Sequence, residues 1–504
     1  MICETFVSMK SLISRLAILV LASTAMVAQQ PAAAAQPQAP TATQSITPLK
    51  WRGLTFSGSL RVRTEAWDWF EGNAENTYPY VHELFRLQVT RQTERADFGL
   101  EIAVPAILGL PEGAVAPGAQ GALGLGGNYY TANGNNRNSV SIFPKQAYVR
   151  FKNLGSDKNT LTFGRFEFVE GGETTLKDGT LAALKRDRIA HRLLGTFAFS
   201  AVGRSFDGVQ FSHGGKQNVT VAALRPTRGV FQADGLGSLD IGVLYGAYTA
   251  PVAGKNVKGE LRVFALGYDD ERPLVKTDNR PVAVRNLDRD EVQVATIGGN
   301  YIQVADTGIG KIDTVLWGVY QFGNWGVQDH RAAAAVAEIG WQPKTTVLKP
   351  WLRAGYSYGS GDGDPNDGKH NTFFQTLPTP RLYARFPFYN MQNNQDAYGI
   401  LILRPTKKLS LRSDLHALRL ANSNDLWYQG GGAFQARSFG YVGRPSGGSR
   451  GLAYLWDISA DYQVNARVGV TAYFANAWGK SVIKNIYPEG QTGRFGYLEL
   501  NYKF

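Results

Sequence analysis

The last stretch of the chain, Gly493 to Phe504, is a strand with two faces. Tyr497, Glu499, Asn501 and Lys503 alternate with Leu498, Leu500, Tyr502 and the aromatic Phe504. A period of two puts one set on each side of a sheet. Left as an edge, such a strand invites aggregation, and pairing it with a first strand removes the edge altogether. With lipid on one face and water on the other, the sheet that satisfies every backbone group is a closed barrel.

The same alternation fills the chain upstream. Leu60, Val62, Thr64 and Ala66 oppose Arg61, Arg63 and Glu65 within Phe56 to Phe70. Phe85, Leu87 and Val89 oppose Arg86, Gln88 and Thr90, and Phe98, Leu100, Ile102 and Val104 oppose Asp97 and Glu101. Further segments centre on Val149, Phe163, Val209, Val221, Ile241, Val263, Val294, Val315, Val336, Ala354, Leu401, Leu411, Ile458 and Val470. With the final strand the number is eighteen, and an even number returns both ends to one side of the membrane. Short connections, such as Thr93–Arg95, Gly155–Lys158, Gly214–Gln217, Pro405–Lys407 and Val464–Asn465, alternate with long ones. The long ones include Pro105–Pro144, Gly171–Gly195, Asp269–Asp290, Gly359–Gln395 and Asn422–Gly451. Short periplasmic turns and long outer loops mark an outer-membrane barrel. The expected fold is therefore all-β: a transmembrane antiparallel barrel of about 18 strands, closed by its first and last strands.

No window supplies the ~20 apolar residues of a membrane helix, a test that a barrel escapes because only alternate residues meet lipid. The 57 glycines and the 12% aromatic share suit a strand-rich, turn-rich chain. Residues 1–28 read as a secretory signal, with Lys10 and Arg15 before the apolar run Leu16–Ala25. Cleavage is expected after Ala25, Ala28 or Ala35; a short membrane anchor is disfavoured because no stop-transfer run follows. The only cysteine, Cys3, precedes every candidate cleavage site, so the exported chain carries no disulfide. Residues 29–50 read as a disordered Ala/Pro/Gln-rich periplasmic tail, and residues 51–504 as the barrel.

The polar face is rich in arginine: Arg61, Arg63, Arg86, Arg150, Arg262, Arg353, Arg412 and Arg467, among Glu65, Glu101, Asp240, Glu260, Asp414, Asp457 and Asp461. The guanidinium is a permanently charged fork of donors that matches a carboxylate. Two readings stand side by side: ion-pair ladders that stiffen the wall, or unpaired cations that line a path for an anion. The wall residues expected on such a path are Arg61, Arg63, Arg86, Arg165, Arg353 and Arg412. Lys185, Arg186, Arg188, His191, Arg192 and Arg204 sit in a long connection that either folds inward as a constriction or faces lipopolysaccharide. The formal charge of +12 fits an acidic ligand, and an export signal excludes nucleic acid.

Asp362, Asp364 and Asn366 have the spacing of a calcium loop, but the glycine comes a residue late and Phe373 stands where a closing glutamate is needed. A Gly/Asp turn is the better reading, and no metal or cofactor site is expected. The histidines show no H-E-x-x-H spacing, and no G-x-S-x-G elbow occurs, so no enzyme is expected. His416 beside Asp414 and Ser413 is the one place to look, and alternation turns Ser413 to the opposite face.

Gly53–Phe70 with Leu-Arg-Val-Arg-Thr-Glu, Gly164-Arg165 with the basic run to Arg192, and Gly203-Arg204-Ser205-Phe206-Asp207-Gly208 resemble the alginate export family of outer-membrane proteins. So does Trp351–Tyr428, with Tyr358–Asp362, Asp367-Gly368-Lys369, Phe373–Pro378 and Asp425–Tyr428. Phe166–Glu173 and Pro378–Asn390 depart from the family pattern. The resemblance implies an eighteen-stranded barrel whose arginine-rich constriction passes an anionic uronate polymer outward. Expected partners are that polymer or another acidic solute, outer-membrane lipid and lipopolysaccharide, the barrel-assembly machinery and periplasmic export components. The competing readings are a general or small-anion (organic acid) porin, a plugged adhesion or lipopolysaccharide-binding barrel, and a soluble all-β secreted protein.

Overall fold

The computed structural model describes residues 46–215 and 217–504; the signal segment and most of the Ala/Pro/Gln-rich tail lie outside the described residues. Eighteen antiparallel strands form the wall. The first nine are β1 (Leu54–Asp68), β2 (Thr77–Gln92), β3 (Ala96–Leu108), β4 (Phe143–Lys152), β5 (Asn159–Phe166), β6 (Phe206–His213), β7 (Asn218–Pro226), β8 (Ile241–Ala253) and β9 (Val257–Asp270). The rest are β10 (Val292–Thr307), β11 (Gly310–Trp325), β12 (Gln328–Pro343), β13 (Trp351–Gly359), β14 (Asn394–Leu403), β15 (Leu409–Leu420), β16 (Gly451–Gln463), β17 (Val468–Gly479) and β18 (Thr492–Lys503). Each alternating segment of the sequence falls in its own strand.

β18 pairs with β1 in the register Ser59↔Lys503, Arg63↔Glu499 and Asp68↔Arg494, so the sheet closes on itself as expected. Phe504 extends the seam. Its N–H donates to Gly58 O at 3.1 Å and its carbonyl accepts from Gly58 N at 3.0 Å. Its ring stacks on Phe85, and a Cβ at Gly58 would meet that ring at 2.4 Å, so the seam needs glycine there. Outward residues such as Phe98, Leu100, Leu261, Val263, Leu316, Tyr320, Leu498 and Leu500 are exposed and form the apolar band. Short turns gather at the end where β1 begins and β18 finishes, the periplasmic end. The tail reading needs one correction: its final residues are ordered, because Leu49–Trp51 turns back through Arg52-Gly53 and pairs with Leu54–Phe56.

The outer half of the lumen is filled by the chain's own loops. Residues 167–205 and 360–393 fold inward and zip together across it. Gly195 N donates to Leu377 O (2.9 Å), Leu377 N to Leu193 O (2.8 Å) and Thr379 N to His191 O (2.9 Å). A Cβ at Gly195 would lie 2.4 Å from Thr379 Oγ1, so glycine permits this approach. A hairpin in a third loop, Leu426–Gly430 with Tyr441–Pro445, lies over them. Trp67 and Phe495 on the wall pack with Phe386, and Phe388 packs against Trp427. Each fully buried aromatic of this kind contributes about 1.5–3 kcal/mol by burial, which holds the loops in place. Toward the periplasm the inward residues Arg86, Gln88, Thr90, Arg412, Asp461 and Asn501 are only half-buried. The lumen is thus a periplasmic vestibule roofed by a loop plug.

Candidate functional site

Inward arginines of this barrel fall into two groups, separated by whether a carboxylate neutralises them. The first is a set of closed ion pairs. Glu338 on β12 accepts from Arg188 Nε at 2.8 Å, Arg353 Nη2 at 2.6 Å and the Tyr398 hydroxyl at 2.8 Å, while Arg353 also reaches Asp313. Lys185 donates to Glu260 at 2.7 Å, and Arg262 to Glu170 at 2.8 Å. Arg86 bridges Glu101 (2.5 Å) and Glu167 (2.9 Å), Arg412 grips Asp414 (2.8 Å), and Arg186 pairs with its neighbour Asp187. The buried pairs that join plug to wall, Arg188–Glu338, Lys185–Glu260, Arg262–Glu170 and Arg86–Glu167, brace loop against wall, and losing one partner costs about 3–5 kcal/mol because the other charge is stranded.

The second group holds cations with no acidic partner among the described residues. Arg61 donates to the carbonyls of Ala198 (2.5 Å) and Ser200. Arg192 donates to Arg188 O and lies over the rings of Trp317 and Tyr383. Arg204 is held by Gly431 O (2.9 Å), and burial pushes its guanidinium down to about 10, which leaves it charged at neutral pH. Arg381 and Arg385 come from the plug segment that departs from the family pattern, and sequence reasoning passed over both. Arg381 donates to the Tyr497 hydroxyl (3.0 Å) between the Phe199 and Tyr473 rings, each 4.5 Å away. Arg385 is half-buried and donates to Ser459 Oγ at 2.8 Å. The only trace in the sequence was a pair of arginines four apart beside Pro380.

Arg61, Arg63, Arg381 and Arg385 converge where the plug meets the vestibule. Arg63 is neutralised by two carboxylates: it donates to Glu499 (2.7 Å) and to Glu65 (3.4 Å), as well as to Phe199 O (2.7 Å), and its guanidinium lies 3.9 Å over the Phe199 ring. Phe199 and Ala198, both half-buried, form the tip of the inserted loop here. Carbonyl, hydroxyl and π-face partners fix the Arg61, Arg381 and Arg385 guanidiniums without an ion pair among the described residues, so this floor attracts anions from the periplasmic side.

Some residues lie elsewhere than expected. Arg165 shares the face of Phe163, which is 63% exposed, and pairs through two 2.7 Å bonds with Asp207 on the outer side of the rim. It is not a lumen residue; the strand register, unbroken through β5, carries it outward. Arg467 is exposed in the turn between β16 and β17, and Asp240 is exposed on the opposite rim. The basic run splits, since Lys185, Arg186 and Arg188 are ion-paired and Arg192 and Arg204 are not.

The Asp362 loop is a string of side-chain turns, as the glycine spacing implied: Asp364 Oδ1 accepts from Asn366 N and Asp367 Oδ1 from Lys369 N, both at 2.9 Å. It is tied to the third loop by Asp425, which accepts from Asp362 N (2.9 Å), Thr372 Oγ1 (2.6 Å) and the Tyr428 hydroxyl (2.7 Å). Burial pushes the Asp425 carboxyl up to about 6. A raised carboxyl favours the packed loops fully below its ordinary value near 4, and that advantage is lost as pH rises through about 6. The difference is about 3 kcal/mol. Hydrogen exchange of residues 360–372 and 421–430, corrected for intrinsic rate, should show stronger protection at pH 4 than at pH 7.5. Asp425→Asn should flatten the profile.

The alginate export family model matches residues 130–473, and the chain belongs to the alginate export family. Among solved structures, Acinetobacter baumannii OccAB2 shares the fold with a TM-score of 0.56 at 10% identity, over 89% of this chain and 98% of that one. Pseudomonas aeruginosa OccK9 (OpdG) gives 0.54 at 10% identity over 90% and 98%. Pseudomonas aeruginosa OpdK, solved with vanillate, gives 0.52 at 9% identity over 89% and 98%. No curated protein matches the chain. Family and fold are those of outer-membrane channels, and the protein is a channel of the bacterial outer membrane.

Proposed function

We propose that this member of the alginate export family passes an acidic polysaccharide, a polyuronate such as alginate, from the periplasm outward. The observation that carries the reading is the un-neutralised cluster at the plug floor, Arg61, Arg381 and Arg385 beside Arg63, facing a vestibule open to the periplasm. A uronate polymer presents one carboxylate per sugar, and guanidiniums spaced along a narrow path match a repeating anion. Phe199, Tyr473 and Tyr497 between the arginines offer ring faces to the apolar sides of sugars. The chemistry asked of the protein is attraction and release, with no bond made or broken, so we assign it no catalytic role. Arg192 and Arg204 continue the path inside the plug, which has to shift for a chain to pass. Arg86, Arg353 and Arg412 are assigned to bracing.

Block of ionic current in planar bilayers tests the reading. Polyuronate oligomers added on the periplasmic side should block chloride current at concentrations where a neutral oligosaccharide of equal length does nothing. A cation-preferring channel indifferent to polyuronate would sink it. The second reading is a channel for small organic acids such as the vanillate of the OpdK structure, favoured by the aromatic packing that narrows the outer half of the lumen. Block by vanillate without block by polyuronate would select it.

A further inference from the structure

One cluster on the lumen wall has no part in anion passage. Asp414 on β15 faces Asp457 on β16 directly across the ladder, and His416 lies two residues along on the same face. Two carboxylates set opposite one another repel, an arrangement that persists only when something else offsets it. Arg412 offsets Asp414, but its bonds go to that carboxylate alone. Arg385, the nearest cation of the plug, gives its hydrogen bond to Ser459 Oγ and acts on Asp457 only through space. Asp457 keeps one oxygen, Oδ2, occupied by the Tyr473 hydroxyl at 3.1 Å. Its Oδ1 is buried with no partner among the described residues, and so is His416 Nε2. Asp414 and Asp457 are fully buried, and His416 is 5% exposed.

We propose that Asp414, His416 and Asp457 bind a divalent transition-metal cation, with Zn2+ as the probe. One donor atom from each of the three lies within 4.8 Å of the others, a spread that small side-chain rotations close onto a metal shell of about 2.0–2.2 Å. The unpartnered imidazole nitrogen and carboxylate oxygen are the donors such a site lacks nothing else to supply. Asp396 on β14 takes the other ring nitrogen, with Nδ1 2.8 Å from its Oδ2. That hydrogen bond fixes the proton on Nδ1 and leaves the lone pair on Nε2, the arrangement that orients metal-binding histidines. An imidazole between two carboxylates selects Zn2+ or Mn2+ over the all-oxygen preference of Ca2+ and Mg2+. The half-buried Arg412 marks the vestibule side, from which the ion enters.

The cation would do more than neutralise the pair. Tyr389, on the plug segment, places its hydroxyl 3.3 Å from His416 Nδ1 and 3.4 Å from Asp396 Oδ2. Binding at Nε2 therefore strengthens the hold of β14 and β15 on the plug through Asp396 and Tyr389, and the site is a metal latch.

The tag-free full-length chain, folded in detergent, stripped with chelator, exposed to equimolar Zn2+ and desalted, should retain about one Zn2+ per chain by elemental analysis. Asp457→Asn and His416→Gln should retain only background, and Asp396→Asn should weaken binding by about 10–100-fold. His213→Gln, at a periplasmic turn, should bind normally. Heat-modifiable gel migration identifies variants that failed to fold. For these, the X-ray absorption edge of the Zn2+-loaded parent decides instead: one imidazole and otherwise oxygen donors is the expected shell. No retained Zn2+ in the parent, normal retention in folded Asp457→Asn, or a shell of two imidazoles would overturn the proposal; two imidazoles would implicate His330 and His370, a buried pair whose Nδ1 atoms lie 2.9 Å apart.

Discussion

Replacing Pro380–Phe388 with a short Gly/Ser linker should raise single-channel conductance several-fold, the largest functional change any one alteration of this protein should produce. An empty barrel of this size leaves an aqueous channel, and here the obstruction is made of loops rather than of wall. The segment contributes Phe386 and Phe388 to the aromatic cluster around Trp67, Phe70 and Trp427, and it carries Arg381 across the vestibule floor. Removing it deletes none of the ladder hydrogen bonds that close the sheet, so the barrel should still migrate as a folded species on unheated gels. Its partner in the lumen, the loop of Gly195, is tied to Leu377 and Thr379 upstream of the deletion and should remain. Unchanged conductance would move the barrier to the hairpin Leu426–Pro445. A milder lesion, Gly195→Val, should act in the same direction by forcing the two loops apart at the 2.4 Å approach to Thr379.

The wall was legible in the sequence because its cause is local. A strand between lipid and water has to alternate, so each of the eighteen segments announced itself, and the seam followed from the two-faced termini. Two placements failed for different reasons. Arg165 keeps the outward parity of Phe163, two residues before it, and so faces away from the lumen, while Arg467 belongs to a turn. At the opposite extreme, the shift between Glu101 and Ile102 inserts Lys145 beside Gln146, and both point inward, a bulge that no period of two anticipates. The site was half legible. Arg61 and Arg63 are on a strand and could be placed; whether they are neutralised depends on residues more than a hundred positions away, such as Ala198, Ser200 and Glu499. Arg381 and Arg385 belong to a loop whose inward fold is set by aromatic packing across the lumen. That is a long-range effect with no periodic signature.

The division between neutralised and free arginines makes the second large prediction, and it separates charge that conducts from charge that braces. The triple change Arg61→Gln, Arg381→Gln and Arg385→Gln should turn an anion-selective channel cation-selective, read as a change of sign in the reversal potential across a salt gradient. Each unpaired guanidinium in a partly dehydrated lumen is worth about 1–4 kcal/mol to an anion at close range. Once they are gone, Asp457 and Asp461, which no cation among the described residues pairs at hydrogen-bond distance, dominate the floor. Arg353→Gln should behave in the opposite way. Its charge is already matched by Asp313 and Glu338, so selectivity should hold, while the stranded carboxylates should lower resistance to unfolding by about 3–5 kcal/mol. Arg165→Gln, on the outer rim, should leave the reversal potential untouched. If Arg353→Gln shifts selectivity as far as the triple change, paired and unpaired arginines are equivalent to a passing anion, and the floor cluster loses its claim to be the filter.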